Sequence, residues 1–417
     1  MLDNKKIAAF IAQKRKQKGL TQQQVADSLH VSFQAVSKWE TGVAYPAIEL
    51  LYDLSRLLEV TTDDILKAQD SETPGLTYRK AGVDISHTDA IKKELSGLVD
   101  VGHPRLLNGV GPFASLYDIH FDHIKNPVLV LKAEEPGSKQ KLAVQYGYTT
   151  SICHDMINHL VNDIIVMGAK PLAVLDTIIC GHAEKDTVTS LVKAMAEACQ
   201  ANDCHLVGGE TSIQTSVVEK GTYILTSSIA GIVNRGAIID GSRIRPGDKI
   251  LAVASNGLHT NGYSLVRLLM DEMPHIQQEK LGSDTFLEAI MKPHTAYYHA
   301  VRNLFDNPGL HGMAHITGGG IEGNLSRILS PGLSGHINLG QIQTLPIFSF
   351  IKANGNVADS EMLQTFNCGV GFILVVSPQI AQTVAKQVSV HYPCYEIGTI
   401  TQGDTPITFH GNLSWDG

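Results

Sequence analysis

Asp155 and Asp163 stand eight residues apart, a little over two helical turns, so both can face one side of a helix. Asp163 lies inside the run Leu160-Val161-Asn162-Asp163-Ile164-Ile165-Val166, where an unpaired carboxylate would be costly to bury. Asn162 adjoins it, and Glu210 follows the pair Gly208-Gly209. Oxygen donors of this kind suit Mg²⁺ bridging nucleotide phosphates, although each can also be a helix-surface charge or a turn cap. Thr317-Gly318-Gly319-Gly320 leads into the helix-like stretch 321–329, and glycines there can aim backbone N–H groups at an anion. The stretch fits neither Walker A nor G-x-G-x-x-G, and a plain tight turn is the alternative. His154, His159, His182 and His205 match no helical ligand spacing, so they do not point to a transition metal.

A second kind of chemistry sits at the start of the chain. Residues 1–40 hold seven Lys/Arg against three Asp/Glu, residues 41–70 two against six, and the rest carries the whole net charge of −8. Only this small basic segment suits a polyanion. Its apolar spacing predicts short helices over 5–18, 22–29, 33–40 and 46–58, with a fifth turn starting at Thr61. Gly19 and Gly42 stop helices, while Thr21 and Ser32 cap them. Two short helices joined by a three- or four-residue turn make a helix-turn-helix, whose second helix enters the major groove. Gln34, Ser37 and Lys38 would then face outward, Gln suited to adenine and Lys to guanine or phosphate. A helical interaction module without DNA is the competing reading.

The elements that must position the first group follow from residue 78 onward. Buried-strand runs fall at 127–131, 172–179, 223–233, 249–254 and 372–376. Helical periodicity covers 156–167, 186–201, 263–273, 284–291 and 380–388. The alternation predicts an α/β (α+β) body of two subdomains, 78–240 and 241–417, joined by a linker at 71–77 to an all-α head, 1–70. The chain has 417 residues, 43% hydrophobic and 18% charged, which excludes a disordered or fibrous protein. No run approaches the ~18 apolar residues of a membrane span, so no membrane partner is expected and a cytoplasmic location is the default. Six Cys form no C-x-x-C pair and read as reduced, structural thiols.

In the head, the stretches Leu20 to Ala26, Val31 to Gly42 and Tyr45-Pro46 resemble the Xre/Cro/C1-type repressor domain. The resemblance implies a dimer on a palindromic double-stranded DNA operator, with Gln22, Ser32, Phe33, Gln34, Ser37 and Lys38 at contact positions. In the body, Tyr78 to Ile85, Leu206 to Thr211, Ile239 to Ser242, Gly257 to Arg267, His315 to Gly320 and Glu361 to Gly371 resemble aminoimidazole ribonucleotide synthetase (phosphoribosylformylglycinamidine cyclo-ligase) of purine biosynthesis. That family implies a homodimer with a shared central barrel, binding Mg-ATP and a ribonucleotide. ATP activates the substrate's amide oxygen, and an internal nitrogen then displaces phosphate to close the ring. By this resemblance His259, Asn261 and Asn367 are catalytic. Gly208, Gly209, Glu210, Thr317, Gly318, Gly319, Gly320, Gly369 and Lys139 bind the cofactor. Asp155, Asn162, Asp163 and Glu134 hold the metal.

Two departures matter. The family's Thr-Asp-Gly-Val-Gly-Thr-Lys loop becomes Ala133-Glu134-Glu135-Pro136-Gly137-Ser138-Lys139, adding a carboxylate and removing an N–H. Its Ala-Glu-Met-Pro-Gly becomes Ser212 to Ser216, which loses an acid. Both fall on the ATP–metal side, so Mg-ATP binding is expected to be weakened or lost. The expectation is a transcription regulator with a nucleotide-binding effector body, taking a small phosphorylated purine-pathway ligand. The rival is an active ATP-dependent cyclo-ligase that also binds DNA.

Overall fold

The structure, a computed structural model, describes residues 3–69, 90–91, 93–95, 97, 103–108 and 113–415. The expected linker at 71–77 and the Tyr78–Ile85 signature lie outside the described residues. The chain divides into two compact units, Met1–Ala81 and Gly82–Gly417.

The first unit is all helical: α1 (Asn4–Gln17), α2 (Gln22–Ser28), α3 (Phe33–Glu40), α4 (Ile48–Leu58) and α5 (Thr62–Lys67). Thr21 and Gln24 form a reciprocal capping box at α2, and Ser32 Oγ accepts from the Ala35 N–H at α3. Gly19 ends α1 with φ +66°. The sequence predicts a helix opening at Pro46, but Ala47 is extended and α4 starts at Ile48. Ile7, Phe10, Ile11, Val25, Ala26, Leu29, Val36, Trp39, Leu54, Leu58 and Ile65 form one core.

The second unit holds two sheets. The first has order β1-β4-β2-β3, from β1 (Pro127–Glu134), β2 (Lys170–Cys180), β3 (His205–Ile213) and β4 (Tyr223–Asn234). Only β2 and β3 run parallel. Three helices follow in chain order: α6 (Lys139–Tyr146), α7 (Thr149–Ile165) and α8 (Lys185–Gln200). α7 packs on β1 and β4, and α8 packs on α7 and β3. The other face of this sheet carries exposed Leu129, Leu131 and Leu175.

The second sheet has order β12-β9-β11-β5-β10-β8. Its strands are β5 (Lys249–Ala254), β8 (Leu310–His315), β9 (Leu333–Asn338), β10 (Val370–Val376), β11 (Cys394–Gln402) and β12 (Ile407–His410). A two-residue hairpin supplies β6 (Lys280–Leu281) and β7 (Asp284–Thr285). That hairpin takes Asp284 and Thr285 out of the helix predicted at 284–291; Thr285 instead caps a helix at Phe286–Ile290 through Glu288. All seven residues of β10 are buried. No helix among the described residues is long and apolar enough to cross a membrane.

Candidate functional site

Helix α7 organises the site through two adjacent faces. Asp155, Asn158 and Asn162 recur at helical spacing and clamp the segment 292–297. Asp155 Oδ1 accepts from the His294 N–H at 2.7 Å, and Asn158 Nδ2 donates to the His294 carbonyl at 2.7 Å. Asn162 Nδ2 donates to the Thr295 carbonyl at 2.8 Å and its Oδ1 accepts from the Tyr297 N–H at 3.0 Å. These are backbone-holding roles. Asp155 and Asn162, expected as metal ligands, are instead fully enclosed and occupied by protein.

Lys139 completes the clamp. Its ammonium has no exposure and makes three contacts: Asp155 Oδ1 at 2.9 Å, the Lys292 carbonyl at 2.7 Å and the His259 carbonyl at 3.2 Å. All three donors are thereby used. Lys139, expected beside a phosphate, is buried and gives its donors to Asp155 and two backbone carbonyls. Burial pushes its amine downward and pushes the Asp155 carboxyl up to about 6, while their mutual attraction favours the charged pair.

The next face of α7 carries His159 and Asp163. Asp163 Oδ1 lies 2.7 Å from His315 Nδ1 at the end of β8, and Oδ2 lies 2.9 Å from Lys132 Nζ on β1. Lys132 also reaches Glu134 Oε2 at 3.0 Å. Along β1 the burial alternates, so Val128, Val130, Lys132 and Glu134 share the helix-covered face. His159 Nε2 stands 3.6 Å from Asp163 Oδ2 and 3.8 Å from Glu134 Oε2. Burial opposes the Asp163 charge, but the hydrogen bond from His315 and the neighbouring cationic groups hold its carboxyl well below the usual range. Burial, followed by His315, brings His159 down to about 4. Burial likewise lowers His259 and His294. The His294 ring stacks on His259 at 3.9 Å, and its Nε2 lies 2.8 Å from His315 Nε2.

Three motif segments pack around this centre. Asn367 Oδ1 accepts from Ser255 Oγ at 3.0 Å and from the Gly369 N–H at 2.9 Å, while its Nδ2 donates to the Gly257 carbonyl at 2.9 Å. His259 is buried, with Nε2 3.3 Å from Thr295 Oγ1. Half-buried Asn261 adjoins Gly318. Gly320, at φ +60°, leaves no room for a side chain: a Cβ would stand 1.8 Å from the Leu363 carbonyl oxygen. The 317–320 turn is fixed by one internal bond and by bonds to residues 324 and 364. The Gly319 N–H donates to Gln364, the Gly320 N–H to Thr317, and Asn324 Nδ2 donates to the Gly320 carbonyl. The helix after the turn spans only Gly320–Leu325.

A groove of about 1390 Å³ crosses the first sheet, with Lys132, Ser115, Gly208, Gly209 and Glu210 among its lining. Asp176 also lines it, and it is absent from the sequence expectation. Its carboxyl is pushed up to about 7 by burial and by Glu210, against a backbone hydrogen bond that lowers it. Gly209 is required beside it, since a Cβ there would fall 1.9 Å from Asp176 Oδ1. The available signal was an acid in the middle of the strand run Leu172 to Ile179. His294, His315 and Lys132 were also missed as site residues. The His159–Asp163 spacing of four was the local hint.

In the first unit, Ser32, Gln34 and Lys38 are exposed, Ser37 is half-buried, and Phe33 is 44% exposed despite its aromatic ring. Gln22 differs: its Nε2 donates to Glu40 Oε2 at 2.8 Å. The same carboxylate takes Arg15 Nη2 at 2.9 Å, so Gln22 is anchored at the joint between α2 and α3.

Comparison with known proteins gives the families of the two units. Residues 11–65 match a helix-turn-helix family model. Residues 126–233 and 245–410 match the N-terminal and C-terminal domains of AIR synthase related proteins. The phosphoribosylformylglycinamidine cyclo-ligase of Methylobacillus flagellatus is 38% identical over 333 residues, 79% of this chain and 96% of the relative. The chain belongs to the AIR synthase family. The cyclo-ligase of Nitratidesulfovibrio vulgaris is 36% identical over 334 residues, covering 79% and 95%. Among solved structures, Escherichia coli HypE superposes on the AIR synthase body with a TM-score of 0.58 at 16% identity, covering 78% of this chain and 94% of HypE. Thiamine-monophosphate kinase of Stenotrophomonas maltophilia gives 0.55 at 15%, covering 80% and 98%. At that identity both show the fold alone.

The family's Mg²⁺ can be tested against the residues present. Asp155 and Asn162 are occupied by protein, and Asp163 and Glu134 share Lys132 and face two imidazoles. Mg²⁺ wants an oxygen cage with several waters, and this donor set does not fit it.

Proposed function

We propose that the protein is a DNA-binding transcription regulator whose AIR synthase body binds a purine-pathway ribonucleotide as effector, acting in the cytoplasm. The observation that carries this reading is the state of the metal-side carboxylates. Asp155 is enclosed by Lys139, and Asp163 is already matched by Lys132 and His315. Pro136 is buried, and the Glu135 N–H turns back onto Glu134 Oε1 at 3.2 Å, so the loop closes on its own acid. The segments around His259, Asn261, Asn367 and Thr317 to Gly320 still pack together, which supports retained ribonucleotide binding. Gln34 and Lys38, exposed on α3, are the base-reading candidates, and Phe33, Ser32 and Ser37 flank them.

We further place the body in a homodimer. Leu129 and Leu131, 49% and 71% exposed on one sheet face, support an apolar interface there. Two heads per dimer would then set the half-site spacing of a palindromic operator.

The second reading, an active ATP-dependent cyclo-ligase, is favoured by 38% identity over 96% of a relative with that name. Full-length protein supplied with phosphoribosylformylglycinamidine, ATP and MgCl₂, with released phosphate and aminoimidazole ribonucleotide both measured, separates the two. The regulator reading expects no ring closure above background. Turnover near ~10 s⁻¹, usual for a metabolic enzyme, would promote the second reading.

A further inference from the structure

We propose that His159, Asp163, His315 and Glu134 form a site for a first-row transition-metal ion of the Zn²⁺ class. The site uses the carboxylates on which the regulator reading also draws, but it does not need that reading: an ion replaces Lys132 at Asp163 and Glu134 whether or not the body senses a nucleotide. Three donors converge, His159 and Asp163 from one face of α7 and His315 from the end of β8, and Glu134 at the end of β1 approaches His159 as the fourth. His159, Asp163 and His315 each bring a donor atom within 4.8 Å of the other two.

The distances suit a small ion. Zn–N and Zn–O bonds of about 2.0–2.1 Å place the corners of a tetrahedron about 3.3 Å apart. His159 Nε2 stands 3.6 Å from Asp163 Oδ2 and 3.8 Å from Glu134 Oε2, so small side-chain rotations bring them in. His315 Nδ1 and Asp163 Oδ1, hydrogen-bonded at 2.7 Å, must open slightly as the ion replaces the shared proton.

Both imidazoles are held as metal-binding histidines are, by their remote nitrogen. His159 Nδ1 lies 3.2 Å from Thr260 Oγ1, and His315 Nε2 lies 2.8 Å from His294 Nε2. A cation already sits at the mouth. Lys132 Nζ lies 2.9 Å from Asp163 Oδ2 and 3.0 Å from Glu134 Oε2, and its side chain is 36% exposed, so it can swing into solvent. The Asp163 and Glu134 side chains are partly open while the two histidines are buried, which gives the site one accessible side. Two imidazoles with two carboxylates favour Zn²⁺, Co²⁺ or Ni²⁺ over Mg²⁺.

The test uses chelator-treated full-length protein titrated with CoCl₂, read by visible absorption of tetrahedral Co²⁺, and with ZnCl₂ by calorimetry. One Co²⁺ per chain is expected, displaced by Zn²⁺ and not by excess Mg²⁺. His159→Asn should weaken binding at least about tenfold. Lys132→Met, which removes the competing ammonium, should tighten it about tenfold. If His159→Asn fails to fold, the Lys132→Met titration decides alone. No tetrahedral band, a band unchanged in folded His159→Asn, displacement by Mg²⁺, or Lys132→Met binding no tighter than the parent would each overturn the site.

Discussion

The two units use charge in opposite ways. On the helix-turn-helix, Gln34 and Lys38 are exposed to solvent, while Arg15 and Glu40 form a largely buried ion pair that ties α3 to α1. In the AIR synthase body the charges turn inward. Lys139 meets Asp155 with neither side chain exposed, and Lys132 lies between Asp163 and Glu134. A polyanion can use the first arrangement without rearranging the protein. A ligand in the second must displace a partner that the fold already supplies. Substitutions in the body should therefore act first on stability, and those on α3 first on binding.

The largest effect is expected at Lys139. Lys139→Met leaves Asp155 as a buried, uncompensated carboxylate and frees the Lys292 and His259 carbonyls. We expect a loss of about 3–5 kcal/mol in the unfolding free energy of the body, measured by urea denaturation. A loss below about 1 kcal/mol would mean the pair is not holding the clamp.

Asp176 should move stability the other way. Its folded carboxyl, at about 7, releases its proton later than the unfolded chain, which does so near about 4. The folded state therefore loses stability as pH rises between these values, and carries the full cost above about 7. Asp176→Asn should be more stable than the parent by roughly 2–4 kcal/mol at pH 8 and nearly equal to it at low pH. Thermal melts at both pH values check the sign. Such a cost, kept in a groove lined also by Glu210 and Gly208, fits a group retained for a ligand.

On α3, Gln34→Ala should leave melting unchanged and cost ~1–3 kcal/mol of discrimination at one base pair per half-site, read by competition between duplexes. The smallest effect concerns Glu40. Burial disfavours its charge, but hydrogen bonds from Arg15 and Gln22 outweigh that and lower its pKa. The stability it adds is present above the unfolded carboxylate range and is lost as pH falls through the lowered folded value. Acid titration of helicity should therefore show Glu40→Gln losing this acid-dependent step.

The difference between the units also explains what could be read in advance. The helix-turn-helix is built from local signals. Caps at Thr21 and Ser32, Gly19 at a stop and apolar spacing at Val25, Ala26, Val36 and Trp39 each act within a few residues, and α3 falls where the spacing puts it. The body site is assembled by contacts such as Asp163 with His315, 152 residues apart, which no local period encodes. Its acids were visible because they interrupt apolar runs. Their partners were not, because His294 and Lys132 look like ordinary loop and strand residues until α7 and β1 meet. Strands β8, β9, β11 and β12 escaped prediction for a related reason: glycines, histidines and threonines blur their alternation.

The central claim is that a ribonucleotide held by the body changes how the head binds DNA. The direct measurement is the affinity of the full-length protein for a duplex chosen by selection, taken by fluorescence anisotropy at one salt concentration. It is made with and without saturating phosphoribosylformylglycinamidine. The account predicts a Kd shift of roughly 5–150-fold between the two conditions. An identical Kd in both, together with ATP-dependent ring closure at about 10 s⁻¹, would contradict it.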